Sequence, residues 1–173
     1  RKEIPIYLAA VNQKMVEMTW DIADGVIFYL RPKSEMKYTI SKMQEKKKID
    51  TALQIITCIH NDGEKARNRA KKTLSFYIAV GKIYREFLET AGYSNETQNI
   101  HDEYKKTGLN GLEELVSEKM LYDLCIAGTP DEGLKKLNLF RDTGIDLPII
   151  QFNPIDNVKE SFELLTKTFS GGL

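Results

Sequence analysis

Two kinds of hydrophobic pattern alternate along this chain. Four short runs, Ile4–Ala10, Gly25–Leu30, Ala52–His60 and Leu147–Phe152, are apolar almost without interruption. Such runs predict parallel strands covered on both faces. Between them the period becomes helical. Met15, Met18 and Ile22 share one side, as do Met36, Ile40 and Met43 after Pro32, with Lys33, Glu35, Lys42 and Glu45 on the other faces. Ala66, Ala70, Leu74 and Ile78 step by four, and Tyr77, Tyr84, Phe87 and Leu88 carry that stripe towards Gly92. Asp62 is placed to cap this helix and Glu64 lies in its first turn.

The polar stretch Ser94–Asn110 is weakly patterned and reads as a long surface loop, an insertion around residues 94–111. Leu112, Leu115, Val116 and Met120 mark another helix. In GTPDEGLKKLNLFRDTG, Thr129 is the expected N-cap, Pro130 the first helical residue and Gly144 the closing residue. Val158, Phe162, Leu165 and Phe169 form the last stripe. The order is strand–helix four times, which predicts an α/β fold of parallel (β/α)4 units in one domain over residues 1–173. It does not separate a doubly wound sheet from a section of a barrel. A four-stranded sheet also leaves two edges to be covered.

Composition narrows the function classes. Lys plus Arg equals Asp plus Glu at 25 each, which argues against nucleic acid as a partner. No apolar run approaches the roughly 18 residues that cross a bilayer, and no basic stretch precedes an apolar core as in a signal peptide. Cys58 and Cys125 form no spaced framework and suit a reducing cytoplasm. The first residue is Arg1 rather than Met, as expected of a processed or proteolysed chain or part of a longer product.

In parallel α/β folds ligands gather at the carboxyl ends of strands. The candidate segments are therefore Ala10–Lys14, Leu30–Ser34, His60–Gly63 and Phe152–Asp156. At Ala10–Lys14 small residues would let a ligand approach the backbone, and a helix starting near Asn12 would aim free amides at an anion. The same residues equally describe an ordinary β-to-α turn capped by Asn12. His60 ends a strand without a fixed partner and reads as a solvated or capping residue, and His101 falls in the polar stretch. Cys58 and Cys125 read as core. No pair of Cys or His has metal-ligand spacing, so no metal is expected. Lys46-Lys47-Lys48 reads as a solvated helix end. No dinucleotide fingerprint, P-loop or nucleophile elbow is present.

Three blocks together resemble the second half of the luciferase-like flavin and deazaflavin superfamily. IPIYLAAVNQKM...DIADGVIF is similar to its strand, phosphate turn and Ala-Asp-Gly-Val segment. GEKARNRAKKTLSFYIA resembles its long helix, and LCIAGTPDEGLKKLNLFRDTGID its Gly-Thr-Pro-Asp-Glu helix followed by Gly-Ile-Asp. Their spacing most resembles the methylenetetrahydromethanopterin reductases, which use the deazaflavin coenzyme F-420. The resemblance implies the C-terminal half of a (β/α) barrel, with a phosphate seat at the turn after the first strand. Val11, Asn12 and Met15 would lie along the phosphate, and Ala9 and Ala10 would leave room for the polyol chain. It implies part of an oxidoreductase that binds coenzyme F-420 and supports hydride transfer to a methylenetetrahydromethanopterin-like or other small organic substrate, or alternatively an FMN-dependent luciferase-like monooxygenase. A non-catalytic half-barrel module is the remaining alternative. The catalytic residues of the family lie mainly in its first half, so none is assigned. Association with a second copy or with an N-terminal half is expected.

Overall fold

The computed structural model describes residues 4–171. Its sheet is parallel throughout and contains β1 (Tyr7–Ala9), β2 (Gly25–Tyr29), β3 (Asp50–Ile59), β4 (Cys125–Gly128) and β5 (Leu147–Phe152). Helices α1 (Gln13–Ile22) and α2 (Lys33–Lys46) follow β1 and β2. After β3 come α3 (Gly63–Val80), α4 (Lys82–Leu88), a π-helical turn over Glu89–Tyr93, α5 (Ser94–Thr107) and α6 (Glu118–Leu124). Helix α7 (Pro130–Arg141) precedes β5, and α8 (Val158–Ser170) ends the chain.

Several features differ from the sequence expectation. Ser94–Thr107 is a helix rather than a surface loop, because Thr97 and Ile100 bury one side of it against α3. A fifth strand, Cys125–Gly128, also lies where only a helix and its cap were expected; all four of its residues are buried. The first strand is shorter than the run that encodes it, since only Tyr7–Ala9 form a ladder, against Gly25–Ile27.

Register explains how β4 fits. Residues 50–54 of β3 pair with β2, 56–59 pair with β4, and 52–57 pair with β5. The β5 segment overlaps both of the others, so β2 and β4 must share one edge of β3 end to end. The sheet accordingly fans open at its carboxyl end, and β4 fills the gap. Among the described residues β1 pairs only with β2 and β5 only with β3, which leaves both as outer strands.

Alternation along the strands separates two cores. Val26, Phe28, Leu53, Ile55 and Ile59 pack with Val16 and Trp20 of α1, Met36 and Met43 of α2 and Phe140 of α7. Ile56, Cys58, Cys125 and Ala127 face the other way, against Ala66, Ala70 and Leu74 of α3 and Ile100 and Met120 of the following helices. The α3–α6 segment thus covers the carboxyl-end part of the face that carries Tyr7, Ala9, Ile27, Tyr29 and Gln54.

Capping residues start most helices. Asp62 accepts from the Glu64 and Lys65 amides at 2.9 and 3.3 Å, and Thr129 with Glu132 closes a capping box on α7. Gly128, at φ +149°, lies so near the Glu132 carboxylate that a Cβ there would collide with it. Helix α2 has no side-chain cap of its own, because its N-cap is Pro32. Asp123 of α6 substitutes, accepting from the Ser34 amide at 3.2 Å and the Ser34 hydroxyl at 2.7 Å.

Candidate functional site

The carboxyl ends of the strands come together in two groups. In the first, β1 runs into α1 through Ala10, Val11 and Asn12. Ala9 is exposed and shares a face with Tyr7 and Ile27. Ala10 is 2% exposed and its methyl joins the opposite, helix-covered core. Asn12 is the N-cap of α1, and its Oδ1 accepts from the Met15 amide at 3.0 Å. Both sequence readings of this turn therefore share one geometry. Asn12 caps the helix and takes up the Met15 amide, while the amides of Gln13 and Lys14 keep no intrahelical acceptor and remain free for an anion.

Arg31, at the end of β2, belongs to the same group. Leu30 before it has φ +50°, a left-handed backbone that a bulky residue adopts only under constraint. That turn sends the Arg31 side chain back towards the first strand, where Nη2 lies 3.4 Å from the Val11 carbonyl oxygen. The guanidinium carbon sits 4.8 Å from the Phe28 ring centre and 4.6 Å from that of Phe87 on α4. Nε forms an ion pair with Glu35 Oε2 at 2.8 Å without hydrogen-bond alignment, and Nη1 is buried with no partner. Burial pushes the guanidinium pKa down, and the Glu35 carboxylate opposes that shift. Arg31, Glu35, Asn12, Gln13 and Phe87 line a common pocket of about 420 Å³.

The second group joins the ends of β3 and β5. His60 Nε2 is 3.8 Å from the Asp156 carboxylate, which Lys65 holds at 2.9 Å. The pair with Lys65 keeps the Asp156 pKa below its ordinary value. His60 Nδ1 accepts from the Asp62 amide at 3.0 Å, which closes a local turn beside the α3 cap. That arrangement is structural in kind. His101 lies on α5, its Nδ1 buried and without a hydrogen-bond partner. Cys58 and Cys125 are fully buried, and burial raises both thiols, Cys58 to about 12. Among the described residues no cluster of three His, Cys, Asp or Glu is placed to hold a metal ion, and no helix is long and apolar enough to cross a membrane.

The profile of the luciferase-like monooxygenase family matches residues 1–147. The chain belongs to this family. Along 95% of its length it is 25% identical to the 5,10-methylenetetrahydromethanopterin reductase of Archaeoglobus fulgidus, of which the match covers 53%. The coenzyme F-420-dependent tetrahydromethanopterin reductase of Methanopyrus kandleri superposes on 98% of the chain with a TM-score of 0.79 at 22% identity, over 51% of its own chain. An F-420-dependent secondary alcohol dehydrogenase, in complex with an F-420–acetone adduct, does so on 97% with a TM-score of 0.66 at 16% identity, over 48% of its chain. The chain thus spans about half the length of the proteins it matches. Its fold is the C-terminal half of a luciferase-like (β/α) barrel, which accounts for the two open strand edges. β4 and the α3–α6 segment are additions to its four strand–helix units.

Arg31 lies in the Leu30–Ser34 segment marked out by the sequence, but neither it nor its ring partners could be assigned there as site residues. The available signal was a lone arginine between an apolar strand and a proline, in FYLRP. Phe87, the ring that completes the stack, carried none, because it lies in a helix far along the chain.

Proposed function

We propose that this chain is the cofactor-bearing half of an oxidoreductase that uses coenzyme F-420 and supports hydride transfer to a methylenetetrahydromethanopterin-like acceptor. The observation that carries this reading is the continuous similarity to the Archaeoglobus fulgidus reductase along 95% of the chain. The β1–α1 turn fits a phosphate-bearing cofactor. Its two free amides, the exposed Ala9 without a bulky side chain, and the unpartnered buried Nη1 of Arg31 suit an anionic group with a chain leading onto the open face. Val11, Asn12 and Met15 would lie along the phosphate and Ala9 beside the polyol, while Ala10, turned into the opposite core, would support the turn from behind. The reduced deazaflavin would supply the hydride, and the protein would orient it and exclude water. No catalytic residue is assigned, and the remaining half of the barrel comes from an N-terminal segment or a second copy. Buried, protonated Cys58 and Cys125 suit a cytoplasmic setting.

Difference spectroscopy on the assembled barrel that contains this chain tests this. Added coenzyme F-420, absorbing at about 420 nm, should bind in preference to FMN, absorbing at about 450 nm. Preference for FMN would move the chain to the flavin-dependent members of the family, and binding of neither would refute the reading.

A further inference from the structure

Arg31 is an unusual residue to bury. Only 3% of it is exposed, it lies between two aromatic rings, and it keeps at least one N–H without an acceptor. Buried polar groups are paired as a rule, and an orphan of this kind calls for a partner. Its single carboxylate, Glu35, balances its charge but takes none of its N–H groups in an aligned bond. The left-handed Leu30 holds the group against the β1–α1 turn at a cost in backbone strain. Glu86 also lines the pocket, yet its side chain is 59% exposed and faces Lys82 at 3.5 Å, so it opposes an anion weakly.

We propose that Arg31 is the recognition residue for the phosphate of the ligand seated at the N-terminus of α1, its planar fork completing a cradle begun by the Gln13 and Lys14 amides. The place of the site rests on the function proposed above; the part played by Arg31 does not depend on which cofactor binds. A guanidinium pinned between Phe28 and Phe87 loses little rotamer freedom on binding, which favours affinity. Its ion pair with Glu35 keeps the empty site neutral, so an anionic phosphate is met by the free N–H groups and the helix end together.

The test uses two ligands that differ only in the phosphate. Wild type, Arg31→Gln and Arg31→Lys are titrated with FMN and with riboflavin by flavin fluorescence, and thermal shifts are recorded in inorganic phosphate. Arg31→Gln should weaken FMN about 10- to 100-fold, the range for losing a hydrogen bond to a charged group, and leave riboflavin within about twofold. Arg31→Lys keeps a cation between the rings and should recover only part of the loss. It also serves as the decisive variant if Arg31→Gln does not fold. Equal weakening of FMN and riboflavin would make Arg31 a structural clamp and overturn the proposal, as would no weakening at all. If wild type bound neither FMN nor coenzyme F-420, the proposed function would fail while inorganic phosphate still decided the part of Arg31. Stabilisation of wild type by inorganic phosphate that Arg31→Gln lacks and Arg31→Lys keeps at most in part would support the recognition role, and its absence from wild type or its full retention in Arg31→Gln would overturn it.

Discussion

Asp123 should be among the most costly residues to remove, although it lies outside the sheet. Its carboxylate, 8% exposed, accepts from the Ser34 amide, the Ser34 hydroxyl and the Tyr93 hydroxyl, the last at 2.8 Å. It thereby caps α2, which Pro32 cannot cap, and pins the α3–α6 segment to the strand ends. Asp123→Ala removes the cap, worth about 1 kcal/mol, and strands the hydroxyl of Tyr93, which is 1% exposed. An unsatisfied buried donor costs roughly 1–3 kcal/mol, so a total of ~3 kcal/mol is expected. For a chain of this size that corresponds to a fall in Tm of about 6–12 °C. Urea unfolding followed by circular dichroism reads the loss. A double-mutant cycle with Tyr93→Phe isolates the shared bond, because the phenylalanine leaves no hydroxyl to strand. The double variant should be less destabilised than the sum of the singles by about 1 kcal/mol. A loss below about 1 kcal/mol for Asp123→Ala, or strict additivity with Tyr93→Phe, would refute this account of how the segment is held.

Glu132 accepts from the Thr129 amide, which holds its carboxyl pKa below the ordinary value; its contribution should be complete above the unfolded carboxylate pKa and fade as pH falls through the lower folded one, so Glu132→Gln and wild type should converge in acid unfolding. Lys33, over the Tyr122 and Phe140 rings, is lowered to about 8 by burial. The unfolded state binds its proton more tightly, so the stability of wild type relative to Lys33→Met should rise between about pH 8 and 10.5 and stay level below pH 7. The open edges predict self-association: Ile6 and Leu147 are 58% and 53% exposed, and lysine at both should shift sedimentation towards monomer, whereas a compact wild-type monomer with a sharp thermal transition would contradict the prediction.

What the sequence disclosed follows the range over which its signals act. The strand–turn–helix of residues 7–22 is encoded within one short segment, so apolar run, cap and small residues could be read directly, and a family likeness could attach a phosphate to them. Helix α5 was obscured because its buried side rests on Thr97 and Ile100 among polar neighbours; Tyr93, Ile100 and Tyr104 still keep helical spacing, sparse but present. Strand β4 is only four residues long and exists because β2 leaves room for it on the edge of β3, a cause that lies in two other strands. The contacts that shape the site are longer still in reach. Asp123 meets Ser34 across 89 residues, and Arg31 finds Phe87 only after α3 has crossed the sheet and α4 has turned back. Neither pair has a spacing that pattern analysis can recognise. What FYLRP does show locally is a conflict, a cation in apolar surroundings, and a conflict of that kind marks a position whose explanation lies elsewhere in the fold. Here that explanation is two rings, one carboxylate and an N–H that no protein atom accepts.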